Sequence, residues 1–264
     1  MFLGTTTFVI CTLASTILAG PIAKPVGILP GQEEASKDLI AEPLWSKDGP
    51  VLTDILQGPD GECWFQAGLI SLVKCNQHAI TNIVKDTGIG KGENGADTDK
   101  AEVKLYTKDY ELKVFEVKHQ SSIGGTVGEL PTWWPAAMKR AAMKMGGYKG
   151  LHENSIGAGF PSDALKMLTG KKTMILDSGS FDKVQIWSWI QHSNDTPMII
   201  TTKSKTSKLV KGHAYVIMSY GGDGPENATL RLRNPWEGIT WHDLDEIYKD
   251  ISQISTLDEF RSIP

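Results

Sequence analysis

The sequence predicts an α+β fold, a helix-rich first part followed by a sheet-rich second part. Three observations carry this. The apolar run from Cys63 to Val73 is too long and too continuous for a half-exposed strand. The segment Thr132 to Met145 places Trp134, Ala137, Met138, Ala141 and Met145 at helical spacing. From Met198 onward the pattern changes to strands, at Met198–Thr202, His213–Met218 and Ala228–Arg233. A chain of 264 residues, 40% hydrophobic and 22% charged, can bury a core without disulfides or metals. It has room for one large domain or two lobes sharing a cleft. A net charge of −4 without a basic block disfavours nucleic acid and anionic membrane as partners.

Taken in chain order, Phe2 to Ala19 carry no charged residue and end in the small pair Ala19-Gly20. Residues 1–20 therefore read as a secretory signal peptide. The alternatives are a membrane anchor, because the run approaches spanning length, and a soluble N-terminal element. Asn194-Asp195-Thr196 and Asn227-Ala228-Thr229 are glycosylation triplets that suit a secreted or secretory-pathway protein, with a cytoplasmic one as the alternative. No membrane association is expected once the leader is removed. Residues 21–42 contain Pro and Gly without periodicity and read as a linker or pro-like arm. Residues 43–157 are expected to form a helical lobe and residues 158–264 a β-rich lobe.

Gly58-Pro59-Asp60-Gly61 is a strong turn signal, and a buried helix is expected to open just after it, near Cys63. Thr87–Asp99 reads as a loop. Val103–Glu116 reads as two β segments around Lys108-Asp109. Pro135 suits the first turn of the Thr132–Met145 helix, and Gly146-Gly147 ends it. Pro161–Leu168 and Phe181–Gln191 are two further predicted helices. Cys11 leaves with the leader. On one helix, Cys63 and Cys75 would lie ~18 Å apart at ~1.5 Å per residue, too far for a disulfide.

Four residues form a chemical constellation. Cys63 follows a Gly-bearing turn at a predicted helix start, where partial positive charge lowers a thiol pKa. His213 follows Gly212 and opens an apolar strand. Asn234, in Arg233-Asn234-Pro235-Trp236, can accept an imidazole N–H and fix the ring, with Trp236 covering the bond. Gln57 can offer its side-chain amide to an oxyanion beside the Cys63 N–H. Cys63, His213 and Asn234 each have a plainer reading alone: a buried structural cysteine, a surface or hydrogen-bonded histidine, an Asn-Pro turn. Together they stand in the order a thiol protease needs. Cys75 reads as core, His78 as exposed at the helix end, and His119 as lacking such context.

Gln57-Gly58-Pro59-Asp60-Gly61-Glu62-Cys63-Trp64-Phe65 resembles the nucleophile motif of the calpain family. Gly212-His213-Ala214-Tyr215 resembles its histidine motif and Arg233-Asn234-Pro235-Trp236 its asparagine motif. Trp134–Tyr148 and Gly159–Thr169 also match, and the similarity runs from about Trp45 to Trp241. The resemblance implies a papain-like core with an active site between two lobes. It implies endopeptidase activity on protein or peptide substrates, with Cys63, His213, Asn234 and Gln57 as catalytic residues. It also makes calcium a possible cofactor, with Gly49 and Asp54 matching the first lobe's site. Two acidic positions of the family align instead with Thr132, near Glu129, and with Thr240, and Glu237-Gly238 inverts the family's order. The family's downstream lipid-binding-like and calcium-binding hand domains are expected to be absent from this chain. Two competing readings are a catalytically idle binding protein that engages partners through the cleft and a transglutaminase-like acyl transferase. The second is disfavoured because that class uses Asp where this sequence has Asn234.

Overall fold

The computed structural model describes residues 42–88, 97–119, 132–236 and 238–259. The expected leader, the expected arm apart from Glu42, and the acidic positions Glu129 and Glu237 lie outside the described residues.

In chain order the described elements are β1 (Glu42–Pro43), a 3-10 turn (Leu52–Asp54), α1 (Cys63–Cys75), α2 (His78–Ile83), β2 (Val84–Asp86), β3 (Asp97–Thr98), β4 (Lys100–Tyr106) and β5 (Leu112–Lys118). Next come α3 (Trp134–Met145), β6 (Leu151–His152), β7 (Ser155–Ile156), α4 (Pro161–Thr169), β8 (Thr173–Asp177) and α5 (Lys183–Ile190). The chain then runs through β9 (Met198–Thr202), β10 (Ala214–Gly221), β11 (Thr229–Arg233), β12 (Ile239–Asp243), α6 (Leu244–Ile247), a second 3-10 turn (Tyr248–Asp250) and β13 (Ile251–Leu257). The architecture is α+β, as the sequence predicts.

The run that opens at Cys63 is a helix because it is apolar on every side, and Trp64 through Val73 are all buried. Gly68 lets α4 approach it closely: a Cβ there would meet the Ala164 Cβ at 2.8 Å. On α3, Pro135 sits in the first turn, where its missing N–H costs nothing, and Gly146 at φ 60° ends the helix. Asp182 and Gln185 close α5 with a reciprocal capping box, each side chain accepting the other's backbone N–H at 2.8 Å.

The large sheet is antiparallel, in the order β12-β11-β10-β9-β13-β8. A smaller sheet, β2-β4-β5, includes the two β segments expected around Lys108-Asp109. One apolar cluster gathers α1, α3, α4 and β4, and a second gathers α5, α6 and much of the large sheet. Strands β9 and β10 serve both by alternation: Ile199, Ala214 and Val216 face the first cluster, while Met198, Ile200, Tyr215 and Ile217 face the second. Three strands of the large sheet, β8, β12 and β13, are not expected from the sequence, and the last of these lies inside the sheet; the short strands β1, β2, β6 and β7 are likewise unexpected, and β3 falls within the segment expected as a loop.

Candidate active site

Cys63 is the first residue of α1, reached through the turn at Gly58–Gly61. It is partly buried and unbridged; Cys75 ends the same helix, so the two cannot pair. Burial pushes the Cys63 thiol up, and the nearby Glu62 carboxylate adds to this. Backbone N–H groups of Ala214, Trp64 and Cys63 act in the opposite direction, and the contribution of Ala214 brings the start of β10 to the sulfur.

His213 immediately precedes β10 and is only 2% exposed. Its backbone is held by β9: the His213 N–H donates to Thr202 Oγ1 at 2.9 Å, and the Thr202 N–H donates to the His213 carbonyl at 2.9 Å. Gly212 has φ +59°, a conformation that L side chains rarely adopt, so glycine is required where the chain enters this strand.

Asn234 follows β11, and its Oδ1 lies 2.8 Å from His213 Nε2. The same oxygen accepts the Trp236 N–H at 3.1 Å, which fixes the amide orientation because an amide nitrogen could not accept it. Nε2 must therefore carry hydrogen, and in the neutral ring the lone pair sits on Nδ1. Trp236 stacks on the imidazole with ring centroids 4.1 Å apart and planes at 28°, covering the His213–Asn234 bond. Tyr215 meets the ring edge-on, 5.1 Å between centroids.

Gln57 is buried, and its backbone N–H donates to the Pro235 carbonyl at 2.9 Å. This joins the loop before Cys63 to the turn after Asn234. Its Nε2 donates one hydrogen to the Asp60 carbonyl at 2.9 Å, and a primary amide has a second to give. Arg233 makes a parallel link, its Nη2 donating to the carbonyls of Leu52 at 2.8 Å and Ile55 at 2.9 Å. Arg233 belongs to a motif quoted above, yet nothing in the sequence marked it as a brace, because its partners are distant in the chain.

The remaining thiol and imidazoles have other settings. Cys75 packs at the edge of the first cluster, and burial pushes its thiol up to about 11. His78 is exposed and opens α2. His119 is buried, with Nε2 3.2 Å from Glu42 Oε2 and its ring 5.0 Å from Trp133.

The positions that the resemblance assigns to calcium already have protein partners. Asp54 is buried, and its Oδ2 accepts the Val51 N–H at 2.9 Å and the Trp134 indole N–H at 2.7 Å. The Gly49 carbonyl accepts the Ser46 hydroxyl at 2.9 Å. Thr132 is buried with a hydroxyl that cannot replace a carboxylate, and the Thr240 hydroxyl lies 2.7 Å from His242 Nε2. Among the described residues no three His, Cys, Asp or Glu side chains gather as a metal site. Of the oxygens that the resemblance assigns to calcium, Gly49 and Asp54 therefore offer one engaged carbonyl and one carboxylate engaged through Oδ2, against the roughly six to eight oxygens a calcium ion takes.

Residues 34–245 match the model of the calpain family cysteine protease. The chain is 26% identical to calpain-9 of Mus musculus over 227 residues, covering 78% of this chain and 31% of the relative. It is 24% identical to the calpain-1 catalytic subunit of Gallus gallus over 216 residues, covering 77% and 30%. The calpain-1 catalytic subunit of Homo sapiens is 27% identical over 225 residues, again covering 77% and 30%. The chain thus spans about a third of the length of the curated relatives it matches. With a match across most of its length, this chain belongs to the calpain family of cysteine proteases.

Proposed function

We propose that the chain is a cysteine-type endopeptidase cleaving protein or peptide substrates, with Cys63 as nucleophile, His213 as acid–base and Asn234 as the group that orients it. The observation that carries the reading is the buried His213–Asn234 hydrogen bond beneath Trp236, on a strand whose first amide reaches the Cys63 sulfur. In the reaction, Cys63 Sγ attacks the scissile carbonyl carbon while its proton passes to His213 Nδ1. The amine leaves with that proton, and a thioester remains. Water then attacks the thioester, gives a proton to Nδ1, and releases the carboxylic acid and the free thiol. The second Nε2 hydrogen of Gln57 and the Cys63 N–H are the donors proposed for the oxyanion. The leader-like residues 1–20 and the two glycosylation triplets support a secretory route for the same enzyme.

The engaged oxygens of Gly49 and Asp54 support a reading in which calcium does not align this site. Cys63→Ala should abolish peptide cleavage and labelling by an epoxide thiol-protease reagent. Undiminished cleavage by that variant would sink the assignment. A wild-type protein that binds substrates but takes up no label would point to the idle binding protein instead.

A further inference from the structure

The loop that presents Cys63 carries a buried charge that the proposed reaction does not use. Glu62, the residue before Cys63, has a side chain with 0% exposure. A lone carboxylate there would be strongly disfavoured. Both of its oxygens have partners. Oε1 lies 3.2 Å from the Gly58 N–H, and Oε2 lies 2.7 Å from Lys139 Nζ. Lys139 stands on α3, and its own side chain is 9% exposed. The same ammonium reaches Asp60 Oδ2 at 3.0 Å. Asp60 is half exposed, so that contact is screened and weak; the Glu62–Lys139 pair is the buried one and dominates. Asp60 also offers its carbonyl to Gln57 Nε2 at 2.9 Å. One lysine therefore grips both acidic residues of the turn running from Gln57 to Cys63.

We propose that Lys139 is a positioning residue for the active site: its ammonium locks the Gln57–Cys63 turn through Glu62 and Asp60 and cancels the buried carboxylate beside the nucleophile. This rests on Cys63 being the nucleophile. Glu62 is the charged neighbour of that thiol, with Asp60 on the same loop and Lys139 from α3 holding both; His213 stands at the start of β10, and the buried Asp54 lies on the 3-10 turn that also packs against α1. The α4 helix meets α1 through Ala164 and Leu168, which carry no charge. Burial and the Glu62 carboxylate both push the thiol up, so removing the compensating cation pushes it further.

The test is the pH profile of Cys63 alkylation by iodoacetamide, read by peptide mass spectrometry, with kcat and KM for a peptide substrate measured in parallel. Lys139→Met should shift the profile to higher pH, slowing alkylation about tenfold at a fixed pH below the transition. Its kcat should fall with KM little changed. Glu62→Gln should shift the profile the opposite way, and the Lys139→Met/Glu62→Gln double variant should return it close to wild type. Lys139→Arg, which keeps the charge, should retain both profile and kcat. An unshifted profile in folded Lys139→Met, or a shift that persists in the double variant, overturns the proposal. If Lys139→Met does not fold, Glu62→Gln decides alone, and the absence of a downward shift overturns it. Alkylation needs no catalysis, so cleavage surviving in Cys63→Ala would defeat the endopeptidase reading separately.

Discussion

Replacing Asn234 by Ala removes a single acceptor, and its effect follows from what holds His213. Two contacts on the imidazole bear on this substitution: the 2.8 Å bond from Nε2 to Asn234 Oδ1 and the stacking of Trp236 at 4.1 Å, with Tyr215 edge-on beside them. The alanine variant loses the first and keeps the second. His213 is 2% exposed, so water does not readily take the place of the lost acceptor. The cost of an orphaned buried donor is about 1–3 kcal/mol, and the Trp236 N–H loses the same partner. Spent on holding the ring and its tautomer in the transition state, that is a fall of roughly 5- to 150-fold in kcat/KM. Steady-state cleavage of a fluorogenic peptide measures it, with thermal melting as a control for folding. The fall should lie mainly in kcat, since Asn234 orients the base rather than binding the substrate. A folded Asn234→Ala variant within twofold of wild type would refute the view that this bond sets the ring.

Two other outcomes are expected. Asp250 is 2% exposed; its carboxylate accepts backbone N–H bonds from Ser207 at 2.8 Å, Lys208 at 2.7 Å and Leu209 at 2.9 Å, anchoring the loop that leads into Gly212 and His213. Burial opposes ionisation there, but those bonds outweigh it and hold the carboxyl below the ordinary carboxylate range. Asp250→Ala should lower the unfolding free energy in urea by about 2–4 kcal/mol at neutral pH. Because the folded-state pKa is depressed, this stabilisation is fully present above the unfolded-chain value of about 3.9 and fades as pH falls through the lower folded value. The gap between wild type and variant should stay flat near neutrality and close only in acid; a gap that closes on the alkaline side would contradict the assignment. Calcium, in turn, should leave the rate of Cys63 labelling by the epoxide reagent within about twofold of its value in excess chelator, because the described donors fall short of its coordination number. A tenfold activation by calcium would mean that donors outside the described residues complete a site.

The helices α1, α3, α4 and α5 were legible because their apolar spacing, turn signals and glycine stops agree with one another. Strand β13 was not, although it pairs with both β9 and β8. Its segment Ile251–Leu257 buries Ser255 and Thr256 completely, so its interior positions look like surface in the sequence. Strands β8 and β12 leave much of their length exposed at the two edges of the sheet, and neither shows clean alternation. The candidate site was legible in its motifs, because Cys63, His213 and Asn234 each sit at a local signal: a turn before a helix, a glycine before a strand, an Asn-Pro after one. The braces were hidden for the opposite reason. Lys139 is 79 residues from Asp60, and Arg233 is 178 residues from Ile55, so only the fold brings them together.

The alternating burial of β9 and β10 has a consequence for how the protein can be altered. Both faces of the strand that begins at the imidazole are walls of a separate apolar room. A cavity opened on either side is transmitted along one rigid backbone to the same ring. Variation in β10 is therefore penalised twice, in packing and in the setting of the ring, while the turn from Gly222 to Asn227 beyond its far end carries no such double constraint. Attempts to re-engineer the protein should leave β10 alone and work on segments whose side chains answer to only one room or to none.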